Sequence, residues 1–217
     1  MILEIESYEL YHIGNKLNPA TNFDSLKIKL KDNLKTAGYS TTEKTLTGEQ
    51  IVLDYPTEVL GIKNEVRVEL NHLAQALNVI GTKPNSVTEI FSNIISILPD
   101  IGYELDKISL FYEILASVVI KSEHKPADIL NKSINLDLTP LSIKGIPNIE
   151  ITAIRIGGEN TTEGGLYTLS IQPNPTSPSS RFLIRVQYRS KDKETIESFH
   201  VDLESKIREL ISQLEKI

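Results

Sequence analysis

The sequence contains no cysteine. Disulfides, cysteine-ligated zinc, iron–sulfur clusters and thiol catalysis are therefore excluded. No apolar run approaches the roughly 18 residues of a transmembrane helix, so we expect no membrane-spanning segment. The first residues alternate in polarity and carry glutamates, without the basic start and apolar middle of a signal peptide. This pattern predicts a cytoplasmic protein.

The 29 acidic residues outnumber the 23 lysines and arginines, and the formal net charge is −6. Because neutralisation of phosphates supplies most of the non-specific affinity for nucleic acids, we do not expect a nucleic-acid partner. Phosphate loops, G-x-S-x-G elbows and H-E-x-x-H spacing are absent from the sequence. The sequence therefore predicts no catalytic residue, no metal ligand and no cofactor.

The chain of 217 residues instead alternates strand-like and helix-like patterns, which predicts an α+β fold. In the first half we expect a strand over 2–13 ending at Gly14, a helix over 22–37, strands over 49–54 and 57–63, an extended stretch over 65–80 that turns near Asn71, and a helix over 87–98. In the second half we expect strands over 107–121, 134–141, 149–156, 165–172 and 181–189, with helices over 126–132 and 193–216. Ser86 and Glu89 have capping-box spacing at the start of the middle helix.

Both halves fit the order strand, helix, four strands, helix. Tyr8-Glu9-Leu10 is echoed by Tyr112-Glu113-Ile114, and Thr88 to Phe91 is echoed by Thr195 to Phe199. We therefore predict a tandem duplication, with repeats over 1–104 and 105–217, each a mostly antiparallel sheet with helices on one face. One irregular α+β domain is the alternative.

At the level of fold alone, this order resembles the duplicated saddle of the TATA-binding protein. No motif of that family maps onto these residues, and the acidic net charge argues against its DNA-binding role. The resemblance therefore implies two sheets joined edge to edge, and implies nothing about function.

An arginine stripe is the most informative local feature. Because side chains alternate along a strand, Arg181, Arg185 and Arg189 share one face, while Phe182 and Tyr188 point to the other face. Arg155, on a nearby strand, adds a fourth arginine, and Thr168, Ser170 and Gln172 are its polar neighbours if their strand pairs with this one. Arginine grips phosphate and carboxylate groups with two parallel hydrogen bonds, so the stripe predicts an anion-binding site. The alternative is a solvated face whose arginines pair with glutamates such as Glu150.

Two loops and the last helix leave further alternatives open. The glycine-bounded loop over 157–165 is predicted to be a hairpin tip, and three prolines between 173 and 178 predict an irregular connection. The last helix carries an apolar stripe that we expect to pack on the sheet. In a second interpretation, Ile211 and Ile217 extend that stripe into a homodimer interface.

The leading hypothesis is a non-enzymatic binding or interaction module. Its exposed sheet face, or the cleft between its halves, would bind a small anionic ligand or a protein partner through Arg155, Arg181, Arg185 and Arg189. The alternative is an enzyme with a site between the two halves, involving His12 or His72. A deep pocket with a histidine of shifted pKa and a nearby carboxylate would favour the enzyme.

Overall fold

A computed structural model describes residues 5–41, 57–134, 151–160, 165–214 and 216. The strands are β1 (Ile5–Leu17), β2 (Thr57–Lys63), β3 (Val66–Asn71), β4 (Ala76–Gly81), β5 (Ser109–Lys121), β6 (Ile154–Asn160), β7 (Gly165–Pro173) and β8 (Arg181–Ser190). The helices are α1 (Phe23–Thr36), α2 (Pro84–Ile97), the single turn α3 (Leu105–Ile108), α4 (Pro126–Ser133) and α5 (Lys193–Leu214). The predicted α+β class is confirmed.

Within the described residues, the eight strands form one antiparallel sheet in the order β2-β3-β4-β1-β5-β8-β7-β6. The two longest strands, β1 and β5, have 13 residues each and pair at its centre. Strands of the first half lie on one side of this pair, and strands of the second half lie on the other. One sheet therefore runs through both predicted repeats.

One face of the sheet carries the hydrophobic core. On this face, Ile13, Ile114 and Tyr188 lie opposite one another on the paired strands β1, β5 and β8. Helix α2 packs there on β1 and β4, and helix α5 packs on β5 and β8. The predicted stripe of α5 packs on the same core, and Ile211 is fully buried. Ile217 lies outside the described residues. The opposite face, which we call the bare face, carries no helix of the described part of the chain.

The first strand is longer than predicted. Gly14 does not end β1, because it pairs on one side with Asn78 of β4 and on the other with Glu113 of β5. A Cβ atom at Gly14 would lie 3.1 Å from Asn78 Oδ1 and 3.1 Å from His12 Nε2. Glycine therefore serves here as space for neighbouring side chains rather than as a strand terminator.

The predicted capping box was wrong. Helix α2 starts at Pro84 with Lys83 as the N-cap, and no side chain caps it. Ser86 therefore lies inside the first turn rather than before it. Proline at the first helical position explains the earlier start, since its fixed φ suits that position and its missing N–H needs no partner there.

The β6–β7 hairpin also differs from the prediction. Gly157 and Gly158 lie within β6, paired with Thr168 and Tyr167, rather than in a loop. Residues 161–164 of the predicted hairpin tip lie outside the described residues, as do the predicted strand over 49–54 and residues 135–141 of the strand predicted over 134–141. The strand predicted over 149–156 is displaced, since β6 covers Ile154–Asn160. The remaining predicted strands and helices occur within a few residues of their expected bounds.

None of the helices in these described ranges combines the length and the apolar character that a membrane span requires.

A cap that the sequence pattern did not reveal supports the first helix. The Asn22 side chain accepts a hydrogen bond from the Ser25 backbone N–H at 3.0 Å. We expect Asn22→Ala to lower the free energy of unfolding by about 1 kcal/mol, because that N–H loses its partner. Ser86→Ala is the matched control and should change it by less than about 0.5 kcal/mol. Urea unfolding followed by circular dichroism measures both, and a larger loss for Ser86→Ala would contradict the assignment.

Candidate anion-binding face

Strand register places polar side chains in a row across the bare face. Arg155 of β6 lies opposite Ser170 of β7, which lies opposite Arg185 of β8, which lies opposite Ser117 of β5. The row continues to Leu10 of β1. The strand that carries Thr168, Ser170 and Gln172 thus pairs with the arginine strand, which is the condition for these residues to be neighbours of the arginines.

Strand spacing sets the size of this row. Neighbouring strands lie about 4.8 Å apart, so the Cα atoms of Arg155 and Arg185 are roughly 10 Å apart with Ser170 between them. A shallow cavity of about 470 Å³ lies over the row and is lined by both arginines together with Ser170 and Ser117. The two long side chains can converge on one group above Ser170.

Arg181 is already engaged with a carboxylate. Its guanidinium donates to both carboxylate oxygens of Glu6, with an Nη2–Oε1 distance of 2.6 Å, and to Ser177 Oγ at 2.9 Å. The hydrogen bond from Arg181 lowers the pKa of Glu6, and the same bond raises that of Arg181. Glu6 belongs to β1, so this ion pair reaches across β5 to the start of β8.

Arg189 is engaged in the same way by Glu113 of β5. Its Nη2 and Nε donate to Glu113 Oε2 at 2.9 and 3.3 Å, and Gln187 Nε2 donates to the same oxygen at 2.7 Å. The Arg189 guanidinium also lies over the Phe111 ring, 4.2 Å from its centroid. Two hydrogen bonds and a cation–π contact therefore fix Arg189.

The four predicted arginines thus fall into two pairs. Arg181 and Arg189 form ion pairs with Glu6 and Glu113, as the alternative interpretation expected of local glutamates, whereas Glu150 lies outside the described residues. Within the described ranges, no ion pair involves Arg155 or Arg185. The signal for Glu113 was present in the sequence, since alternation along β5 places it on the bare face. The partnership of Glu6 was not readable, because it depends on which strands are neighbours.

A larger cavity, of about 730 Å³, lies where α5 begins and is less suited to an anion. Its arginine is Arg189, which Glu113 neutralises. Its Asp192 caps α5, accepting hydrogen bonds from the backbone N–H groups of Glu194 at 3.0 Å and Thr195 at 3.2 Å. The Thr195 hydroxyl also donates to Asp192, and this bond contributes most to lowering the pKa of Asp192, with smaller contributions from the two backbone bonds. A fixed carboxylate at this position repels anions.

The two histidines of the enzyme hypothesis are not brought together. His12 lies on the bare face of β1, whereas His72 follows β3 and lies beside the Phe23 ring of α1 at 6.3 Å between centroids. Burial lowers the pKa of His12, against the opposing effects of Asn78 and Glu113. Its Nε2 atom is buried and has no hydrogen-bond partner among the described residues. No group of three or more potential metal ligands occurs in the described part of the chain.

His200 joins three elements on the core side of the sheet. Its Nδ1 atom contacts the Tyr11 hydroxyl of β1, and its Nε2 atom lies 3.2 Å from Thr88 Oγ1 of α2. The Thr88 hydroxyl donates to the Pro84 carbonyl at 3.0 Å, so Thr88 Oγ1 accepts from Nε2–H and Nδ1 accepts from Tyr11. Burial lowers the pKa of His200 despite Glu204, which favours the neutral imidazole between this donor and this acceptor.

Comparison of the chain with protein-family models, curated proteins and solved structures finds no match.

The two histidines make stability depend on pH. Both have folded pKa values below the ordinary 6.5, so the folded state binds fewer protons than the unfolded state, and stability is lost as pH falls below about 6.5. We expect His200→Gln to reduce the loss of stability between pH 7.5 and 5.5, values that span this pKa, and His12→Gln/His200→Gln to reduce it further. His124→Gln, at an exposed position, is the control. Urea unfolding across the pH range measures this, and an unchanged pH slope in the double variant would contradict it.

Proposed function

We propose that this protein is a non-enzymatic binding module whose bare sheet face captures an anionic ligand or an acidic surface of a protein partner. The observation that carries the proposal is the row in which Arg155 and Arg185 flank Ser170 with no carboxylate paired to either arginine in the described residues. Guanidinium groups without an acidic partner are available to grip phosphate or carboxylate groups.

Arg181 and Arg189 have a supporting role in this proposal. Their ion pairs with Glu6 and Glu113 hold the ends of β8 against β1 and β5. Gln187, held by Glu113 and accepting from Thr168 Oγ1 at 3.4 Å, lies in the row beside the proposed site. The binding residues are therefore Arg155 and Arg185, with Ser170 between them.

A duplicated α+β unit is the architecture that we infer for this module. The strand order supports it, because β2-β3-β4-β1 is repeated in mirrored order as β5-β8-β7-β6. Tyr8 and Tyr112, from the echoed tripeptides, both lie on the core face, where Tyr8 pairs with Val118 and Tyr112 pairs with Asn15. A profile built from relatives of one half should match the other half. Failure to match would favour a single irregular domain.

An enzyme with a site where the halves meet is the second candidate. The lowered pKa of His12 and the proximity of Glu113 favour it. Against it, the free Nε2 of His12 is covered, and Glu113 Oε2 already accepts hydrogen bonds from Gln187 and Arg189. A covered Nε2 and a carboxylate already engaged by Gln187 and Arg189 are poorly placed to act as an acid or a base, so the binding module has the stronger support.

Removal of the two available arginines tests the proposal. We expect pyrophosphate, citrate or a hexaglutamate peptide to raise the melting temperature of the unmodified chain, because a ligand that binds only the folded state stabilises it. Arg155→Ala/Arg185→Ala should fold normally and lose this effect. Differential scanning fluorimetry at low salt measures the shift.

Lys125→Ala/Lys132→Ala is the matched control for this experiment. It removes the same charge from the N-cap and the last turn of α4, which packs on the core side of β7. The control should keep the ligand effect. An equal response of both double variants, or no response of the unmodified chain to any of the three probes, would refute anion binding by the row. A second copy of the chain could also cover this face, and light scattering of each variant detects that outcome.

A further inference from the structure

We infer that the anion bound at this row is a phosphomonoester, held between Arg155 and Arg185 above Ser170, with its organic group lying toward Leu115 and Leu10. This inference rests on the proposed anion-binding function and specifies the class of ligand. Three features of the row carry it: its local charge, its set of donors and the apolar character of one end.

The local charge of the row favours a dianion. The neighbouring row on one side contains Thr168, Gln187 and Leu115, and the row on the other side contains Gln172, Leu183 and Val119. Neither set includes a charged residue. The nearest carboxylate along β5 is Glu113, four residues from Ser117, or about 13 Å along the strand. Two positive charges therefore lie in this part of the sheet with no carboxylate paired to either in the described residues.

The donors of the row fit a tetrahedral group better than a planar one. One guanidinium fork satisfies both oxygens of a carboxylate, so a single carboxylate would leave the second arginine unused. A phosphomonoester carries nearly two negative charges and three acceptor oxygens at neutral pH. Arg155 and Arg185 can bind it from opposite sides, while the Ser170 hydroxyl donates from below. None of these three side chains makes a hydrogen bond within the described residues.

The other end of the cavity is apolar. Leu115 of β5 lies diagonal to Arg185, and Leu10 of β1 lies opposite Ser117. Both leucines line the same cavity as the arginines and are not buried in the core. A ligand with its phosphoryl group at Ser170 would cover this leucine surface with its organic part. The site should therefore prefer an organic phosphate to inorganic phosphate.

Calorimetric titration of the full chain tests this assignment with defined probes. We expect phenyl phosphate to bind, inorganic phosphate to bind about three- to tenfold more weakly, and succinate to bind at least about tenfold more weakly than phenyl phosphate. Leu115→Ser should reduce the affinity for phenyl phosphate and leave that for inorganic phosphate unchanged. A phosphoserine peptide, titrated in parallel, distinguishes a phosphoprotein from a small metabolite as the source of the phosphomonoester.

Ser170→Asp gives a variant that keeps both arginines. Its carboxylate should pair with one of the two arginines and repel a dianion, so the sheet is expected to remain folded while binding of phenyl phosphate falls at least about tenfold. Ser198→Asp adds the same charge at an exposed position of α5 and should leave binding unchanged.

The outcomes separate this inference from the broader proposal. Binding of succinate, but of neither phosphate probe, with loss in Arg155→Ala/Arg185→Ala, would overturn the phosphomonoester and preserve anion binding. Binding of all anions that is indifferent to Ser170→Asp and to removal of the arginines, or no binding of any probe, would overturn both. Tighter binding of phenyl phosphate or of the phosphoserine peptide than of succinate, lost in Ser170→Asp, would establish the inference.

Discussion

The antiparallel pairing of β1 with β5 holds the sheet together, because every other strand lies entirely on one side of this pair. Residues about a hundred positions apart in sequence become direct neighbours there, as Tyr11 does with Ala116. Either strand without the other would present a long unpaired edge with a hydrophobic face, and such edges promote aggregation. The pairing closes both edges at once and makes one core of the two halves.

The same pairing determines the electrostatics of the bare face. Glu6 and Glu113 belong to the two central strands, and each neutralises an arginine of β8. Arg185 lies between those two arginines along β8, opposite the hydroxyls of Ser117 and Ser170, and so remains unpaired within the described residues. The position of an arginine along β8 therefore determines whether its charge is neutralised: the two end arginines form ion pairs, and the middle one forms none within the described ranges.

Much of the fold was predictable from local patterns, since the periodicity of α1 and α5 and the alternation of β5 and β8 identify these elements and their buried faces. The errors have common causes. The prediction that Gly14 ends the strand is wrong because the role of this glycine, as space for His12 and Asn78, depends on a strand that is distant in sequence. Ser86 had the spacing of a cap, but the proline at position 84 started the helix earlier.

The candidate site, like the fold, was predictable where it depends on local pattern and not where it depends on long-range strand pairing. Alternation along one strand correctly grouped Arg181, Arg185 and Arg189, and the expected neighbour Ser170 lies where pairing places it. Which arginines would remain unpaired could not be read, because Glu6 reaches Arg181 only through the β1–β5–β8 order and an irregularity in the β1 register next to it. Local pattern therefore predicted the surface, and long-range pairing determined its chemistry.

The ties at the central pair have a mechanical consequence. His200 fastens α5 to β1 and α2 on the core side, and the Glu6–Arg181 ion pair fastens β1 to β8 at the start of that strand. Because these contacts lie on both faces of the sheet, bending the sheet toward either face would break one of them. In the proposed binding, side chains would rotate while the curvature of the sheet stays unchanged, so little conformational entropy would be lost.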